Sequence, residues 1–416
     1  MKNLVGRQRV IVILILGLLS AIGPFSIDMY LPGFPAIAKD LHTSVGIVSY
    51  SLASFFIGIC IGQLICGPLL DRFGRKMPLY IGMIIYVLSS IGCALFRSIE
   101  LLIVLRFFQA LGGCVGIVAP RAIIRDIFPV EENAKIFSFM ILILGVSPII
   151  APTVGSYVVA HFSWHIVFVI LSLITCLIFI AVVYWLPESR QPDPTYSLKA
   201  KPILNNFRNV LKVPQFYTYA LASAISSAGL YAYLASSPFV FMELFKTTEQ
   251  QYGFIFSINA AGLILCSQLN NLLLKKYSSE QISLVTLSVQ TIVGGLLLLG
   301  TIFNVLNLYS TIVLISLFLS CQGLSFPNTA ALSMAPFEKD AGSASALMGA
   351  MQMAIGALAA AAVGFVKPTT AIPMAAVMAG CVAVGLVILV WGSLKINKPS
   401  KMQDVRDNSF DMIEKY

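Results

Sequence analysis

Two charged residues, Asp28 and Arg106, lie inside long apolar runs of this chain. Asp28 stands toward the end of the first run, and Arg106 lies early in the fourth. An ionised side chain at mid-bilayer costs about 2.5–3.5 kcal/mol or more, so such residues are typical of functional sites. Burial favours the neutral form of a carboxyl group, whereas a nearby cation favours the charged form. We therefore interpret Asp28 as a proton carrier whose alternate loading by proton and substrate would couple the two.

Both residues also have simpler interpretations, which the sequence leaves open. Asp28 can be an acid at the membrane interface that meets water. Arg106 can be a cation whose long side chain reaches the membrane surface.

A short, basic and glycine-rich turn separates the second and third apolar runs. It spans Gly67–Lys76 and reads Gly-Pro-Leu-Leu-Asp-Arg-Phe-Gly-Arg-Lys. We expect Asp71 to lie near the positive N-terminus of a neighbouring helix or near a cation such as Arg125. An exposed pair contributes only about 0–1 kcal/mol, so it would bias an opening movement without locking it. The alternative is a solvated loop that only sets orientation. The residues assigned to this gating loop are Gly67, Asp71, Arg72, Gly74, Arg75 and Arg125.

The fifth apolar run combines prolines with small residues. Pro148 and Pro152 remove backbone donors and predict a bend. Small side chains recur at four-residue spacing up to Gly155, which lets another helix approach closely. Ordinary packing between kinked helices is the alternative. The packing and kink residues assigned here are Gly145, Pro148, Pro152 and Gly155.

The elements that must position these residues are membrane-spanning helices. Hydrophobic residues make up 58% of the chain and charged residues 11%, against about 25% charged residues in soluble domains. Runs of about 20 apolar residues suit a bilayer, so we predict an all-α integral membrane protein with twelve spans. They lie near 10–31, 45–70, 77–96, 100–121, 134–158, 165–186, 216–238, 251–273, 281–304, 308–328, 340–365 and 371–394. A cleaved signal peptide is not expected, because no clear cleavage site follows the first run.

A polar segment at 187–214 divides the twelve spans into an N-terminal six-helix half (1–186) and a C-terminal six-helix half (215–394), followed by a tail at 395–416. With the N-terminus inside, all but five of the 27 Lys and Arg fall on the side of the termini. This positive-inside bias predicts cytoplasmic termini. The five exceptions are Lys39, Arg97, Arg106, Lys246 and Lys367. The net charge of +9 thus reflects topology, and no nucleic-acid partner is expected.

The two predicted halves show a weak internal repeat. Pro120 and Pro129 recur 207 residues later as Pro327 and Pro336. The counterpart of the gating loop, Leu272–Gln281, keeps two cations but lacks the aspartate and the glycines. A gating contact of the kind expected for Asp71 is therefore expected in the first half alone.

No motif indicates an enzyme, a metal site or a bound cofactor. The eight cysteines lie in apolar runs without a C-x-x-C pair, which is typical of packing residues. His161 and His165 have helical spacing but no nearby acid, so metal binding is not expected. There is no nucleophile with a base and no phosphate loop.

The segment Gly67–Lys76 resembles the loop signature of the major facilitator superfamily, Gly-x-x-x-Asp-Arg-x-Gly-Arg-Lys, at every specified position. The segment from Arg106 to Gly112 resembles the fourth-span motif Arg-x-x-Gln-Gly-x-Gly, with Ala110 in place of the first glycine. Residues 145–155 resemble the antiporter motif of the fifth span only loosely. The resemblance implies twelve spans in two halves and a role for Arg106 in proton coupling.

Within that superfamily the chain is most similar to the Bcr/CflA type of bacterial drug exporters. The resemblance rests on Asp28-Met-Tyr-Leu-Pro32, Arg121-Ala-Ile-Ile-Arg125-Asp126, Ser237-Pro-Phe239, Gly323-Leu-Ser-Phe-Pro-Asn328 and Ala341-Gly-Ser-Ala-Ser-Ala346. It implies a monomeric antiporter of the bacterial inner membrane, driven by the proton gradient, that exports small amphipathic drugs. Spans one, four, seven and ten line the centre of this fold, which implies a mostly apolar and aromatic cavity. Its candidate residues are Tyr30, Gln109, Tyr231, Tyr233, Asn259, Gln322 and Gln352.

Two alternatives stay open at this point. An exporter of an endogenous metabolite or siderophore would share every feature above except the cargo. A membrane receptor or scaffold that transports nothing would show no proton movement on addition of substrate.

Overall fold

The computed structural model of the protein describes residues 7–194, 198, 200–337, 341–365 and 370–396, and every regular element in these ranges is helical. Most of the predicted tail and the cations Lys2, Lys339 and Lys367 lie outside the described residues.

The first half of the chain forms eight helices. A short 3₁₀ turn at Leu31–Gly33 joins the first two. The helices are α1 (Arg7–Asp28), α2 (Phe34–Asp40), α3 (Val45–Phe73), α4 (Lys76–Leu95), α5 (Ile99–Gly113), α6 (Val115–Ile127), α7 (Val130–His161) and α8 (Trp164–Trp185).

The second half adds seven helices, of which the first lies within the predicted linker. Helix α10 continues as a π-helical segment at Phe239–Leu244. The helices are α9 (Ala200–Leu211), α10 (Pro214–Pro238), α11 (Glu249–Leu273), α12 (Ser279–Ile302), α13 (Leu308–Met334), α14 (Ala341–Phe365) and α15 (Ile372–Ile396). The sequence analysis did not predict α9.

Eleven segments of the described chain are long and apolar enough to cross a membrane, one fewer than the twelve predicted. The predicted span at 216–238 does form helix α10, but it is not among the eleven. Its serines and tyrosines lower its hydropathy, and they include Ser223, Ser226 and Ser227. Nineteen of its 25 residues are buried, so the protein and not lipid surrounds most of this helix.

Polar caps fix where several of these helices begin. The side chains of Ser44 and Ser98 accept hydrogen bonds from backbone N–H groups in the first turns of α3 and α5. Thr248, Ser278 and Asn307 form reciprocal capping boxes at α11, α12 and α13. Such caps satisfy N–H groups that have no partner within the helix.

The bundle has two ends, which we name by what lies there. The linker side holds the turn at Gly67–Lys76 and helix α9, and the opposite end is the Asp28 side. Helices α1–α8 pack on one another, and so do α10–α15. The pairs α3–α14 and α7–α11 join the N-terminal helices to the C-terminal helices.

Glycines permit the close approach of several helices. A Cβ atom on Gly155 of α7 would overlap the backbone carbonyl of Met29, and one on Gly364 of α14 would lie 2.7 Å from the carbonyl oxygen of Gly46. A Cβ on Gly145, by contrast, would make an ordinary contact with Ile264 at 3.5 Å. Helix α7 runs through both Pro148 and Pro152.

We predict that Gly155→Ala lowers the thermal stability of the purified protein, because the new methyl group would push the backbone of α7 away from Met29. Overpacking of this kind costs about 1–3 kcal/mol. The matched control is Gly295→Ala, since a Cβ there meets no atom within 4 Å. Unfolding of both variants in the same detergent checks this, and equal midpoints for Gly155→Ala and wild type would contradict it.

Candidate functional site

A cavity of about 810 Å³ lies at the linker side, between the N-terminal and C-terminal helices. Its walls come from the end of α3, from α6, from α9 and from the first turn and a half of α14. Leu64, Ile117 and Phe207 supply apolar surface, whereas Gln63 and Asn206 supply amide groups. A cavity of this size and mixed lining suits a drug-sized molecule.

Arg75 organises the gating loop beside this cavity. Its side chain is only 5% exposed. Its Nε donates to Oδ2 of Asp126 at 2.7 Å, and its Nη1 donates to Oδ1 of Asp71 at 3.0 Å. Burial alone would lower the pKa of Arg75, but the hydrogen bonds and charges of the two carboxylates outweigh it and raise that pKa. The guanidinium group thus ties the end of α3 to the end of α6.

The partners of Asp71 differ from the expected cation Arg125. Besides Arg75, Asp71 accepts a hydrogen bond from Nη1 of Arg190 at 3.0 Å. Arg125 is exposed on the cavity wall. Arg72 donates to the backbone carbonyl of Pro194 at 2.9 Å. The gating loop is therefore held by the N-terminal helices and the linker that follows them.

Glu188 caps helix α4 at the same place. Its carboxylate accepts hydrogen bonds from the backbone N–H groups of Arg75 at 2.7 Å and Lys76 at 3.1 Å. Gly74 has φ +81°, a left-handed conformation that glycine tolerates best. Gly67 lines the cavity and has open space around its Cα.

Sequence reasoning missed Asp126, Glu188 and Arg190 as members of this cluster. The sequence does indicate Glu188 and Arg190 as charged residues at this end of the bundle, because they follow the last apolar residues of the sixth span. Their partners, however, lie more than 100 positions away in the chain.

Arg106 is fully buried among the N-terminal helices. Its Nη1 donates to Oε1 of Gln109 at 2.6 Å, and its Nη2 donates to the carbonyl oxygen of Ser26 at 3.0 Å. Its guanidinium carbon lies 4.1 Å from the ring centre of Phe55 and 4.6 Å from that of Tyr30. The side chain therefore does not reach the membrane surface, and aromatic faces replace water around the charge.

Asp28 ends helix α1 and is 6% exposed. It forms no hydrogen bond or ion pair with any residue that the structure describes. Its carboxyl group lies within electrostatic range of two tyrosines of the C-terminal helices, Tyr233 and Tyr252. Arg106 reaches the backbone two residues before Asp28 but does not pair with its carboxylate.

None of the residues predicted to line a cavity is among those that line the linker-side cavity. Tyr30 shares a hydrogen bond with Ser51 at 2.8 Å, and Gln109 donates to Oγ of Ser90 at 2.7 Å. Both belong to the packed interior of the N-terminal helices.

The remaining predicted residues come from the C-terminal helices. Asn259 donates to the hydroxyl oxygen of Tyr233 at 2.9 Å, and Gln322 donates to Oγ of Ser227 at 2.8 Å. Tyr231 crosses to the N-terminal helices, with its ring centre 4.8 Å from that of Phe56. Gln352 is half-buried on α14.

We predict that Arg75→Gln lowers the unfolding temperature much more than Arg190→Gln. Removing Arg75 leaves two carboxylates without their buried partner, and breaking a buried pair costs about 3–5 kcal/mol. The side chain of Arg190 is 44% exposed, and an exposed pair contributes about 0–1 kcal/mol. Thermal unfolding of both variants measures the difference, and similar losses would contradict the central position of Arg75.

Comparisons with known proteins agree with this architecture. The family model described as Major Facilitator Superfamily matches residues 16–361. The chain is 31% identical over 380 residues to a bicyclomycin resistance protein homolog of Haemophilus influenzae, covering 91% of this chain and 95% of that one. It is 26% identical over 348 residues to multidrug resistance protein D of Escherichia coli, covering 83% and 86%. The crystal structure of a D-xylose-proton symporter has a TM-score of 0.74 at 13% identity, covering 92% of this chain and 97% of that one.

Proposed function

Because the chain belongs to the Major Facilitator Superfamily and is a transporter rather than an enzyme, we propose that it exports amphipathic small molecules in exchange for protons. The observation that carries this proposal is the cavity of about 810 Å³ at one end of a bundle whose helices α7 and α11 are in contact toward the other end. A site open to one side at a time is what alternating access requires.

The Asp28 side is closed by contacts between the N-terminal and C-terminal helices. The hydroxyl groups of Thr153 and Ser257 share a hydrogen bond at 3.0 Å, and Ser257 donates to the carbonyl oxygen of Ile149 at 2.9 Å. A Cβ on Gly253 would lie 3.1 Å from the carbonyl oxygen of Pro152. These contacts join α7 to α11, so they would have to break for substrate to leave on that side.

We interpret the helices as two halves of six spans, with α10 as the span that hydropathy alone does not identify. The halves would rock about the layer where Tyr231 meets Phe56. A Cβ on Gly356 would overlap the Tyr231 ring, so this layer is packed without space. In the proposed cycle this layer would separate the cavity from Asp28.

Asp28 is the proposed proton carrier, and Arg106 is proposed to tune it through the backbone of α1. A proton that enters along the membrane potential releases about 2.3 kcal/mol per 100 mV. Binding a proton would remove the charge of Asp28, which lies within electrostatic range of Tyr233 and Tyr252. The electrostatic interaction between the N-terminal and C-terminal helices on the Asp28 side would then depend on whether Asp28 carries a proton.

We place the linker side in the cytoplasm of a bacterial cell, with the protein as a monomer in the inner membrane. The excess of Lys and Arg on that side supports the orientation. The names of the two relatives support drug efflux as the activity. In this orientation the cavity takes its substrate from the cytoplasm or the inner leaflet.

The gating loop would act when the cavity closes. Asp71 and the start of α14 face the same cavity from opposite halves. Closure would bring the carboxylate toward the positive end of that helix.

We predict that Asp28→Asn reduces proton-driven efflux at least about tenfold, because an amide cannot carry a proton between the two sides. Substrate binding should persist, since Asp28 does not line the linker-side cavity. Asp40→Asn is the matched control, because that acid lies on the same side and accepts a hydrogen bond from Trp164. Drug accumulation in an efflux-deficient strain measures both variants, and wild-type efflux by Asp28→Asn would remove Asp28 from the mechanism.

We also predict that the pair Thr153→Cys and Ser257→Cys stops transport when oxidised to a disulfide, because the link holds α7 against α11. A reducing agent should restore transport, and each single variant should remain active under oxidation. Undiminished transport by the crosslinked protein would show that this end does not open.

A further inference from the structure

We propose that the linker-side cavity binds amphipathic anions, with Arg121 and Arg125 holding the anionic group. This inference rests on the proposed transport function, because it names the class of molecule that the cavity takes up.

The first observation is the charge of the cavity wall. Among the described residues, the charged ones on this wall are Arg75, Arg121, Arg125, Arg190, Asp71 and Asp126, which gives these six residues two positive charges in excess. Both aspartates are already bound, Asp126 to Arg75 and Asp71 to Arg75 and Arg190. The excess therefore resides on Arg121 and Arg125.

The second observation concerns the partners of these two arginines. Neither forms a hydrogen bond or an ion pair with any residue of the described ranges. They stand one helical turn apart on α6, which places their Cβ atoms about 5–6 Å from each other. Each guanidinium charge acts unfavourably on the other, so an anion between them would relieve repulsion as well as gain hydrogen bonds.

The remaining walls suit the rest of such a molecule. Pro68, Ile117, Val118 and Phe207 offer an apolar surface to a hydrophobic body. The first turn of α14 borders the same space, and the positive end of that helix adds to the field that the arginines create. An arginine pair presents planar donors that match a carboxylate, sulfonate or phosphate group.

The anionic group could belong to a free solute or to a lipid headgroup, and the chemistry of recognition is the same. The experiment therefore separates these sources by lipid composition. The full-length protein is placed in nanodiscs of phosphatidylcholine alone or with phosphatidylglycerol added.

The probes are 1-naphthylacetate and its neutral analogue 1-naphthylacetamide, measured by calorimetric titration at pH 7. In phosphatidylcholine we expect wild type to bind the anion at least about tenfold more tightly than the amide, since only the anion forms charge-assisted hydrogen bonds in which both partners are ionised. The double variant Arg121→Gln, Arg125→Gln should lose this preference and keep its affinity for the amide. Neither residue has a hydrogen bond or an ion pair with a described residue to lose, so the variant should fold.

The matched control is Lys275→Gln with Lys276→Gln, which removes two exposed cations from the same side but not from the cavity wall. It should keep the preference for the anion. If phosphatidylglycerol suppresses binding of 1-naphthylacetate to wild type and to this control alike, a lipid headgroup occupies the site. If it has no effect, a free solute does, and both results support an anion site.

Equal affinity of wild type for the two probes in phosphatidylcholine would overturn the inference, as would a preference that survives in the double variant. Proton-driven uptake of a neutral drug into inverted vesicles is measured in parallel. Transport without anion preference would refute the anion site alone, whereas absence of transport would refute the proposed function.

Discussion

The rest of the structure depends on one constraint, which is that a charge inside an apolar bundle must find its partners within the protein. Arg106 meets it with Gln109, the carbonyl of Ser26 and the faces of Phe55 and Tyr30. Arg75 meets it with two carboxylates at the edge of the cavity. Asp28 has no such partner among the described residues. This contrast makes Asp28 suited to exchange a proton and makes the two arginines suited to hold helices together.

The same constraint explains how the two ends of the protein differ. The Asp28 side is closed by glycines and small hydroxyl side chains, which let α7 and α11 pack closely without charges. The linker side carries the charged clusters, in which the exposed Arg190–Asp71 pair can form and separate at low cost near water. A conformational change would therefore exchange neutral packing at one end for polar contacts at the other. The unpaired Arg121 and Arg125 lie where that change would admit substrate.

Much of this could be predicted from the sequence because apolar runs and buried charges are local features. The helical class, the positions of most spans and the burial of Arg106 follow from hydropathy along the chain. Helix α10 shows where prediction from hydropathy fails. Its polar residues lower its hydropathy, although other helices surround it. The partners of Asp71 could not be foreseen either, because Arg190 is 119 positions away and only the fold brings the two together. The position of the cavity depends on which end is open, and no single stretch of sequence encodes that. The assigned residues Tyr30, Tyr233 and Gln322 therefore remain predictions for another state of the cycle.

The central claim is that the two ends of the protein open alternately under the control of Asp28. Distances measured across each end test this claim. Spin labels on Phe73 and Lys275 would report the linker side, and labels on Arg97 and Asn304 the Asp28 side, since all four positions are exposed. Double electron–electron resonance should show one distance shortening and the other lengthening between pH 5 and pH 9. In Asp28→Asn both distances should become independent of pH. If the two distances change in the same direction, or if their response to pH survives in Asp28→Asn, the account is wrong.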